Sequence, residues 1–461
     1  MGEAPPPVTA PANASRTLST AQKLVYASGD HTVNLSLSAL ALFYLFFLTE
    51  VAGLRPALAG LVPLVGRVVD ACFDPVMGRI SDQTRTRWGR RRPYFLLGAL
   101  PFGLTFAWMW SEAPFDSQGA IFAWHASAYL LHCLVMSVLS VPYLALLPEM
   151  ARGYDERTSL NTFRSAAAVV GTLVVAGSLR PLAESFGGGP GGFAKAGALL
   201  AVWVTLPWFF VYRVTFERND FQRPAEAPFF QAVYSLWRHS TYRVLCALFL
   251  CARAAVDIVG AMFLYFFASW LRRPDDFEPA LLGMLVCVVA SLPFWLRAAS
   301  RTDKRTLFVF GCVWWIAIQC VLFLATPEWP RWTLFAIAAV AGIGYAVADL
   351  MPWSMLGDVI DEDELASGER REGLYNGLFT FLRKLGGAAG VFLAGVILDL
   401  AGFVKGTAEQ SPTALLAVRG LTGAVPALLL AIAALIALRY SLGRARHVEI
   451  RAALEARARR A

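Results

Sequence analysis

The sequence is poor in charge and has none of the common catalytic patterns. Asp, Glu, Lys and Arg make up 16% of the 461 residues, whereas soluble proteins average about a quarter. The patterns GxSxG, HExxH and CxxC do not occur, which argues against a membrane enzyme built on a serine nucleophile, a zinc site or a redox pair. We therefore expect a protein that is not an enzyme and has no cofactor.

Cysteine is also scarce and shows no pairing pattern. None of the seven cysteines stands beside a histidine at metal-ligand spacing, and all fall inside apolar runs. They are typical of small buried apolar side chains, so a disulfide scaffold is excluded. These residues are Cys72, Cys133, Cys246, Cys251, Cys287, Cys312 and Cys320.

Apolar residues are abundant, at 57% of the chain with a mean hydropathy of +0.53. Because a single soluble core stops growing at roughly 250–300 residues, this excess indicates a polytopic membrane protein in a lipid bilayer. The net charge of +8 comes from basic residues that flank the apolar runs. Membrane orientation explains them, and we expect no nucleic-acid partner.

The apolar runs predict an all-α membrane protein with twelve transmembrane helices in two six-helix bundles. Each run is near the ~20 residues that cross a bilayer as a helix. The first is expected at 32–50 and the last at 413–440. The domains are a disordered leader, an N-terminal bundle, a linker, a C-terminal bundle and a basic tail, at 1–21, 22–215, 216–242, 243–440 and 441–461.

Basic residues are concentrated in alternate connections, for example Arg85, Arg90, Arg91 and Arg92 between the second and third spans. Because Lys and Arg mark cytoplasmic loops, we expect both termini in the cytoplasm. The expected location is the plasma membrane, which is the inner membrane in a Gram-negative bacterium. Charged connectors in the two halves also resemble each other, as the parallel repeats of a transporter do.

Ionisable residues inside the spans are the candidate functional groups, since each costs several kcal/mol unless paired or hydrated. Asp70 and Asp74 lie one helical turn apart, so they share a face. We expect that a cation, sodium in particular, sits between them or that one holds a proton. The alternative is a hydrated, merely stabilising pair. Lys384 either faces the same cavity or extends to the cytoplasmic surface.

Other polar residues leave two interpretations open. Arg164 is a positive-inside residue or binds substrate in the cavity. Arg253 and Asp257, at i and i+4, form a structural pair or a clamp for a charged substrate. The residues expected to line the cavity with them are Asn34, Tyr26, Tyr44, Ser137, Ser140, Tyr143 and Trp353.

The segment Asp70-Ala71-Cys72-Phe73-Asp74-Pro75, followed by the arginine-rich stretch 82–93, resembles the glycoside–pentoside–hexuronide:cation symporters, the melibiose-carrier branch of the major facilitator superfamily. The similarity continues at Pro142-Tyr143, at 155–158, at 358–361 and at 368–373, and ends at Lys384. It implies a major facilitator fold and cation-coupled symport of a small glycoside-like solute by alternating access, in a monomer.

The resemblance also implies roles for single residues. In the melibiose carriers the two acids of the second span bind the cation, which maps to Asp70 and Asp74, with Ser137 in place of a cation-ligating threonine. The lysine near the cation site maps to Lys384, and the sugar-binding arginine maps to Arg164. The sugar-binding acids of the family are replaced, at Asn34 and Ser140, and a tryptophan is replaced by Leu144.

These replacements put a melibiose-like sugar in doubt. The alternative is a sodium-dependent lysophospholipid or organic-anion transporter, for which Arg253 and Asp257 suit a charged head; sodium or proton coupling stays open. A receptor or scaffold is the non-transporter alternative. Ion pairs among Arg85, Arg92, Glu149, Asp358 and Arg370 are expected to form a cytoplasmic gate that holds the outward-facing state.

Overall fold

The computed structural model describes residues 18–151, 154–217, 236–368, 371–407 and 409–458. Within these ranges an isolated bridge joins Thr86 and Gly89, and the elements are helical. The predicted all-α class is confirmed. The linker interior, 218–235, and the gate residue Arg370 lie outside the described residues.

The first half contains long helices joined by short connections. Helix α1 comprises Thr20–Ala39 and continues through the π-helical turns Leu40–Tyr44 and Phe47–Val51. The others in this half are α2 (Pro56–Gln83), α3 (Arg92–Met109), α4 (Gln118–Met150), α5 (Tyr154–Ser185) and α6 (Gly189–Val214).

The second half repeats this arrangement and ends in a tail helix. Helix α7 is Ser240–Tyr265, extended by the π-helical turn Phe266–Trp270, and the turn Pro274–Asp276 precedes α8. The remaining helices are α8 (Phe277–Arg301), α9 (Lys304–Leu324), α10 (Arg331–Ser367), α11 (Glu372–Leu400), α12 (Pro412–Ala437, with a π-helical turn at Gly420–Ala424) and α13 (Arg444–Ala458).

Helix α1 begins well before the expected first span at 32–50. Ser19 caps it, because its Oγ accepts a hydrogen bond from the Gln22 amide at 3.2 Å, and the Ser19 amide donates one to Gln22 Oε1 at 3.0 Å. This capping box is strong enough to start the helix in a polar stretch. The predicted leader, 1–21, therefore ends inside a helix.

Ten helices of the described residues are long and apolar enough to cross a membrane. Helices α1 and α3 are not among these ten, so the count of twelve spans stays a prediction. The outer surface carries exposed large apolar side chains, such as Leu97 at 67%, Leu104 at 62% and Phe210 at 60%. Such a surface is unfavourable in water and suits lipid.

The two ends of the bundle differ in how the halves meet. We call the end that carries the loop Thr84–Arg91 the basic end, and the other the opposite end. One apolar core runs through the first half and includes, from the second half, residues near the opposite end such as Phe266, Ala394 and Leu398. Residues of the second half near the basic end, such as Tyr242 and Tyr375, form a separate core.

Glycines permit the close contact between α2 and α11 near the opposite end. A Cβ at Gly60 would stand 2.9 Å from Phe392 Cα, and one at Gly395 would overlap the Pro56 carbonyl. Because an alanine at either position would push these backbones apart, the halves meet there only with glycine. This contact places the middle of α2 beside the middle of α11.

Candidate cation and substrate site

The two acids of α2 and a hydroxyl of α4 form one oxygen cluster. Ser137 Oγ lies 2.7 Å from Asp70 Oδ1 and 2.6 Å from Asp74 Oδ1. Asp70 is fully buried, whereas the Asp74 side chain is 29% exposed. The structure therefore brings together the three residues predicted for the cation site, through one hydroxyl that donates to either carboxylate.

Basic side chains of the chain itself neutralise this acid pair. Lys384 Nζ, from α11, lies 2.9 Å from Asp70 Oδ2 and 2.6 Å from Asp74 Oδ2. Arg67 Nη1 lies 3.5 Å from Asp70 Oδ2. In this structure an ammonium group stands between the carboxylates and relieves their repulsion, as the sequence allowed for Lys384, and the expected cation or proton at the pair stays a prediction.

Arg67 was not predicted from the sequence. It stands three residues before Asp70, so a helix places both on one face. That i, i+3 spacing was the available signal in the sequence. Among the described residues no group of three or more His, Cys, Asp and Glu could hold a metal ion.

A second charged cluster lies on α7 and α10. Arg253 pairs with Asp257 one turn along α7, and its Nη1 lies 3.3 Å from Asp349 Oδ1. Asp349 was missed, since a single acid in an apolar run carried no spacing signal. Helix α11 passes close by, because a Cβ at Gly387 would overlap the Asp257 carboxylate. The pair is thus an intrahelical ion pair that also faces the cavity.

A third cluster joins α1, α4 and α5. Arg164 pairs with Asp30, and Tyr143 donates to Asp30 Oδ2 at 2.8 Å. Asp30 was missed, because the resemblance aligned the family's aspartate with Asn34, one turn further along the same helix. Asn34 donates to the Asp30 carbonyl at 2.9 Å. The acid that pairs with Arg164 is therefore Asp30, one helical turn before Asn34.

The charged residues of the first two clusters other than Asp349 line one cavity of about 320 Å³ between the halves, whereas Asp349 lines a second cavity beside it. The charged lining residues of the first cavity come from α2, α7 and α11. Ser140 lines it too, together with a mainly apolar wall from α1 and α4 that includes Val33, Leu37, Val141 and Leu144.

The third cluster is not on this cavity. Arg164 and Tyr143 do not line it, and Asn34 and Trp353 line a separate cavity between α1, α5, α8 and α10. The expectation that these four residues share one substrate cavity with Asp70 is corrected. The physical reason is that the ion pair of Arg164 with Asp30 turns the guanidinium toward α1.

The ion pairs at the basic end use different arginines from those expected. Glu149, fully buried, pairs with Arg90 at 2.8 Å and with Arg91 at 2.5 Å. Arg85 instead donates to the carbonyls of Asp82 and Thr84, and Arg92 donates to the Tyr212 carbonyl at 2.9 Å. Of the residues predicted for these ion pairs, Arg85 and Arg92 thus bond backbone carbonyls, and Arg90 and Arg91, which lie between them in the loop, pair with Glu149.

In the second half, Asp358 is held by two basic groups. Lys304 Nζ lies 2.6 Å from Asp358 Oδ1, and His447 Nε2 of α13 lies 3.3 Å away. These pairs join residues of one half, as do those of Glu149. They hold each half together at the basic end and do not bridge the halves, unlike the gate that the sequence predicted.

Besides the ion pairs of Lys384 with Asp70 and Asp74, further bonds between the halves lie at the opposite end. Tyr265 donates to the Leu45 carbonyl at 3.0 Å and also bonds Thr49. Arg180 of α5 pairs with Glu278 of α8 at 3.1 Å. Together with the α2–α11 contact, these bonds close the cavity on that side.

The chain matches the family described as MFS/sugar transport protein over residues 25–444. It is 29% identical to a putative glycoside/cation symporter, YagG, of Escherichia coli, covering 89% of each chain. It is 25% identical to the sodium-dependent lysophosphatidylcholine symporter 1-A of Danio rerio, covering 93% of this chain and 86% of the relative.

Among solved structures, a bacterial homologue of the human lysosomal transporter Spinster in an inward-facing, unoccupied conformation aligns with a TM-score of 0.66 at 14% identity. The alignment covers 95% of this chain and 99% of that one, and it confirms the major facilitator fold. The chain belongs to the MFS/sugar transport protein family, in its glycoside–pentoside–hexuronide:cation symporter branch, and is a membrane transporter rather than an enzyme.

Proposed function

We propose that the chain couples the entry of a cation at Asp70, Asp74 and Ser137 to the transport of an organic solute in the cavity beside them. One observation carries this proposal: Lys384, from the second half, bonds both acids of the first half. A bond between the halves is broken or remade when the halves rock, so the charge state of the acids is tied to the conformation.

Coupling follows from competition for the acids. An incoming cation takes the place of the Lys384 ammonium among the oxygens, because both positive charges cannot share two carboxylates already flanked by Arg67. The released ammonium then faces the solute cavity, where it is available to a substrate. Cation and substrate therefore raise each other's affinity, as reciprocal coupling requires.

We propose sodium as the coupling cation, with a proton as the alternative. Sodium is a hard cation that favours oxygen ligands, and the Asp70, Asp74 and Ser137 oxygens lie within hydrogen-bond distance of one another. At constant pH, sodium chloride should stabilise the purified protein against heat more than choline chloride does. Equal stabilisation by the two salts, together with uptake driven by a pH gradient, would favour the proton.

The orientation follows from the arginine-rich loop. We propose that the basic end is cytoplasmic, that both termini lie there, and that α1 and α3 complete twelve spans of a plasma-membrane protein. Because the halves are joined at the opposite end, the structure then corresponds to an inward-facing state. The pathway lies between the two halves of one chain, so we propose that a monomer suffices.

The substrate class is a glycoside or a related small organic solute. A second candidate, a lysophospholipid or organic anion, is favoured by the cavity wall, where Val33, Leu37, Val141 and Leu144 offer apolar contacts and few hydrogen bonds. A sugar ring without an apolar substituent would leave its hydroxyls unpaired against such a wall.

A thermal-shift screen tests the proposal. Glycosides, organic acids and lysolipids are added to the purified protein in NaCl and in KCl, because a ligand that binds the native state raises its melting temperature. We expect at least one class to stabilise the protein, and more strongly in NaCl. Stabilisation that is the same in every salt and at every pH would contradict coupled binding, and a receptor or scaffold would then be the better description.

A further inference from the structure

Arg383 is a charged group that neither the sequence analysis nor the symport scheme uses. It precedes Lys384 on α11 and lines the same cavity. Consecutive helical residues point about 100° apart, so Lys384 turns to the acids of α2 while Arg383 turns toward α7. Two basic residues of α11 thus line one cavity, Lys384 on the side of α2 and Arg383 on the side of α7.

The acids near Arg383 already have a partner. Arg253 holds both Asp257 and Asp349, the latter at 3.3 Å. Among the described residues, no carboxylate oxygen lies within 4.0 Å of the Arg383 guanidinium. Arg253 repels Arg383, whereas Asp349 and Asp257 attract it from beyond ion-pair distance. An arginine in a membrane-spanning helix that lacks a close counter-ion is costly, and such a residue marks a functional site by default.

The charges at the cavity balance before a cation enters. Four basic and three acidic side chains line it, and Asp349, which pairs with Arg253 from behind the lining, is the fourth acid; the lining residues are Arg67, Arg253, Arg383 and Lys384 with Asp70, Asp74 and Asp257. A coupling cation that enters with a neutral solute would add one positive charge without compensation. A solute with one negative charge, entering with one cation, keeps the loaded cavity at the charge of the empty one.

Part of the cavity lining is apolar. Val33, Leu37, Val141 and Leu144 come from α1 and α4, and the Leu144 side chain is 51% exposed. The cavity therefore has charged residues on α2, α7 and α11 and an apolar side on α1 and α4. An amphipathic anion matches both sides, with its anionic group on the guanidinium and its apolar body on α1 and α4.

Resting on the proposed symport, we infer that Arg383 binds the anionic group, a carboxylate or phosphate, of an amphipathic solute whose apolar part packs on the α1 and α4 wall. The chemistry has two sources: a glycoside with an aromatic aglycone and a uronic-acid carboxylate, or a lysolipid phosphate. Arg383 would then select the substrate class, while Lys384 acts in coupling.

Matched ligand pairs test this inference on the purified full-length protein. The soluble arm compares p-nitrophenyl β-D-glucuronide with p-nitrophenyl β-D-glucoside, which differ only in the carboxylate. The lipid arm compares a lysophosphatidate with the monoacylglycerol of the same chain. We expect the anionic member of at least one pair to stabilise the protein at a concentration at least tenfold lower than its neutral partner.

The variant Arg383→Gln should bring that ratio close to one without weakening the neutral ligand, and Arg383→Lys should keep part of it, because it retains charge without the bidentate geometry. Arg439→Gln removes an exposed charge outside the cavity and is the control. Equal or better binding of the neutral members, an unchanged ratio in Arg383→Gln, or no binding in either arm would overturn the inference.

The result separates this inference from the symport proposal. The preferred ligand is also offered to proteoliposomes with and without an inward sodium or proton gradient. If Arg383→Gln removes the charge preference but no gradient drives accumulation, symport is contradicted and the anion site at Arg383 is supported. If a gradient drives accumulation of the neutral ligand alone, symport is supported and the anion site is contradicted.

Discussion

Two charged clusters lie at the cavity, and they differ in where the neutralising partner of the buried charge comes from. On α2, Asp70 and Asp74 obtain their lysine from the other half of the molecule. On α7, Arg253 obtains both carboxylates from its own half. The first cluster is thus divided by the plane along which the halves move, and the second is not.

Under the proposed symport, this difference suits the two clusters to separate tasks. A bond that crosses between moving halves changes when the conformation changes, so it is suited to coupling. A cluster within one half keeps its geometry during the movement, so it is suited to recognising a substrate in every state. Variants that break one cluster at a time should therefore lose either coupling or recognition.

The largest effect is expected for Asp70→Asn. This change removes one fully buried carboxylate, so Lys384 and Arg67 lose part of the negative charge that they pair with. Removing one partner of a buried ion pair costs about 3–5 kcal/mol of stability. Gradient-driven accumulation in proteoliposomes should fall more than about 100-fold. Asp116→Asn, in an exposed loop, is the control and should transport normally.

Lys384→Gln should affect the cation in the opposite direction. Without the ammonium that competes for the acids, the cation should half-saturate at a roughly tenfold lower concentration, measured by thermal stabilisation. Coupled accumulation should nevertheless fall, because cation binding no longer frees a positive charge. Lys195→Gln removes an exposed lysine and serves as control; an unchanged cation affinity in Lys384→Gln would count against competition.

Arg253→Gln should weaken recognition and spare the cation site. It leaves Asp257 and Asp349 without their guanidinium, so substrate affinity should fall about tenfold, roughly 1.4 kcal/mol. Initial uptake rates against substrate concentration measure this effect. The cation concentration for half-maximal stabilisation should stay within about twofold of the wild-type value; a parallel loss of cation affinity would mean that the clusters act as one.

Ser137→Ala should give the smallest effect. The hydroxyl supplies one hydrogen bond to the acid pair, a contribution of about 1 kcal/mol, or about fivefold in cation affinity. Ser137→Thr keeps the hydroxyl and should recover most of the loss. Equal cation affinity in both variants would remove Ser137 from the site.

Much of the coupling cluster was predictable from the sequence. Two acids at i and i+4 in an apolar run share a helix face by geometry alone, and the resemblance supplied Lys384. The spacing does not show which basic side chain neutralises the two acids. The ammonium between the acids depends on how α2 and α11 cross, and that crossing depends on small residues such as Gly60 and Gly395.

The recognition side and the loop pairs were less predictable. Asp30 lies one turn before the position that the family pattern indicated, so its pair with Arg164 emerged only when α1 and α5 were placed together. The loop before α3 contains several arginines, and the sequence does not show which of them pairs with Glu149. In the structure the turn of this loop places Arg90 and Arg91 beside Glu149. Long apolar helices are encoded locally, whereas these partners are chosen by tertiary packing.

The most direct test measures gradient-driven accumulation and substrate exchange in the same proteoliposomes, with wild-type protein and with Asp70→Asn combined with Asp74→Asn. The substrate is the ligand that stabilises the wild type best. Removing the site for the driving ion while preserving the substrate site should abolish accumulation and leave exchange at equal ion concentrations measurable. Accumulation at the wild-type level in the double variant would contradict a cation site at these two carboxylates.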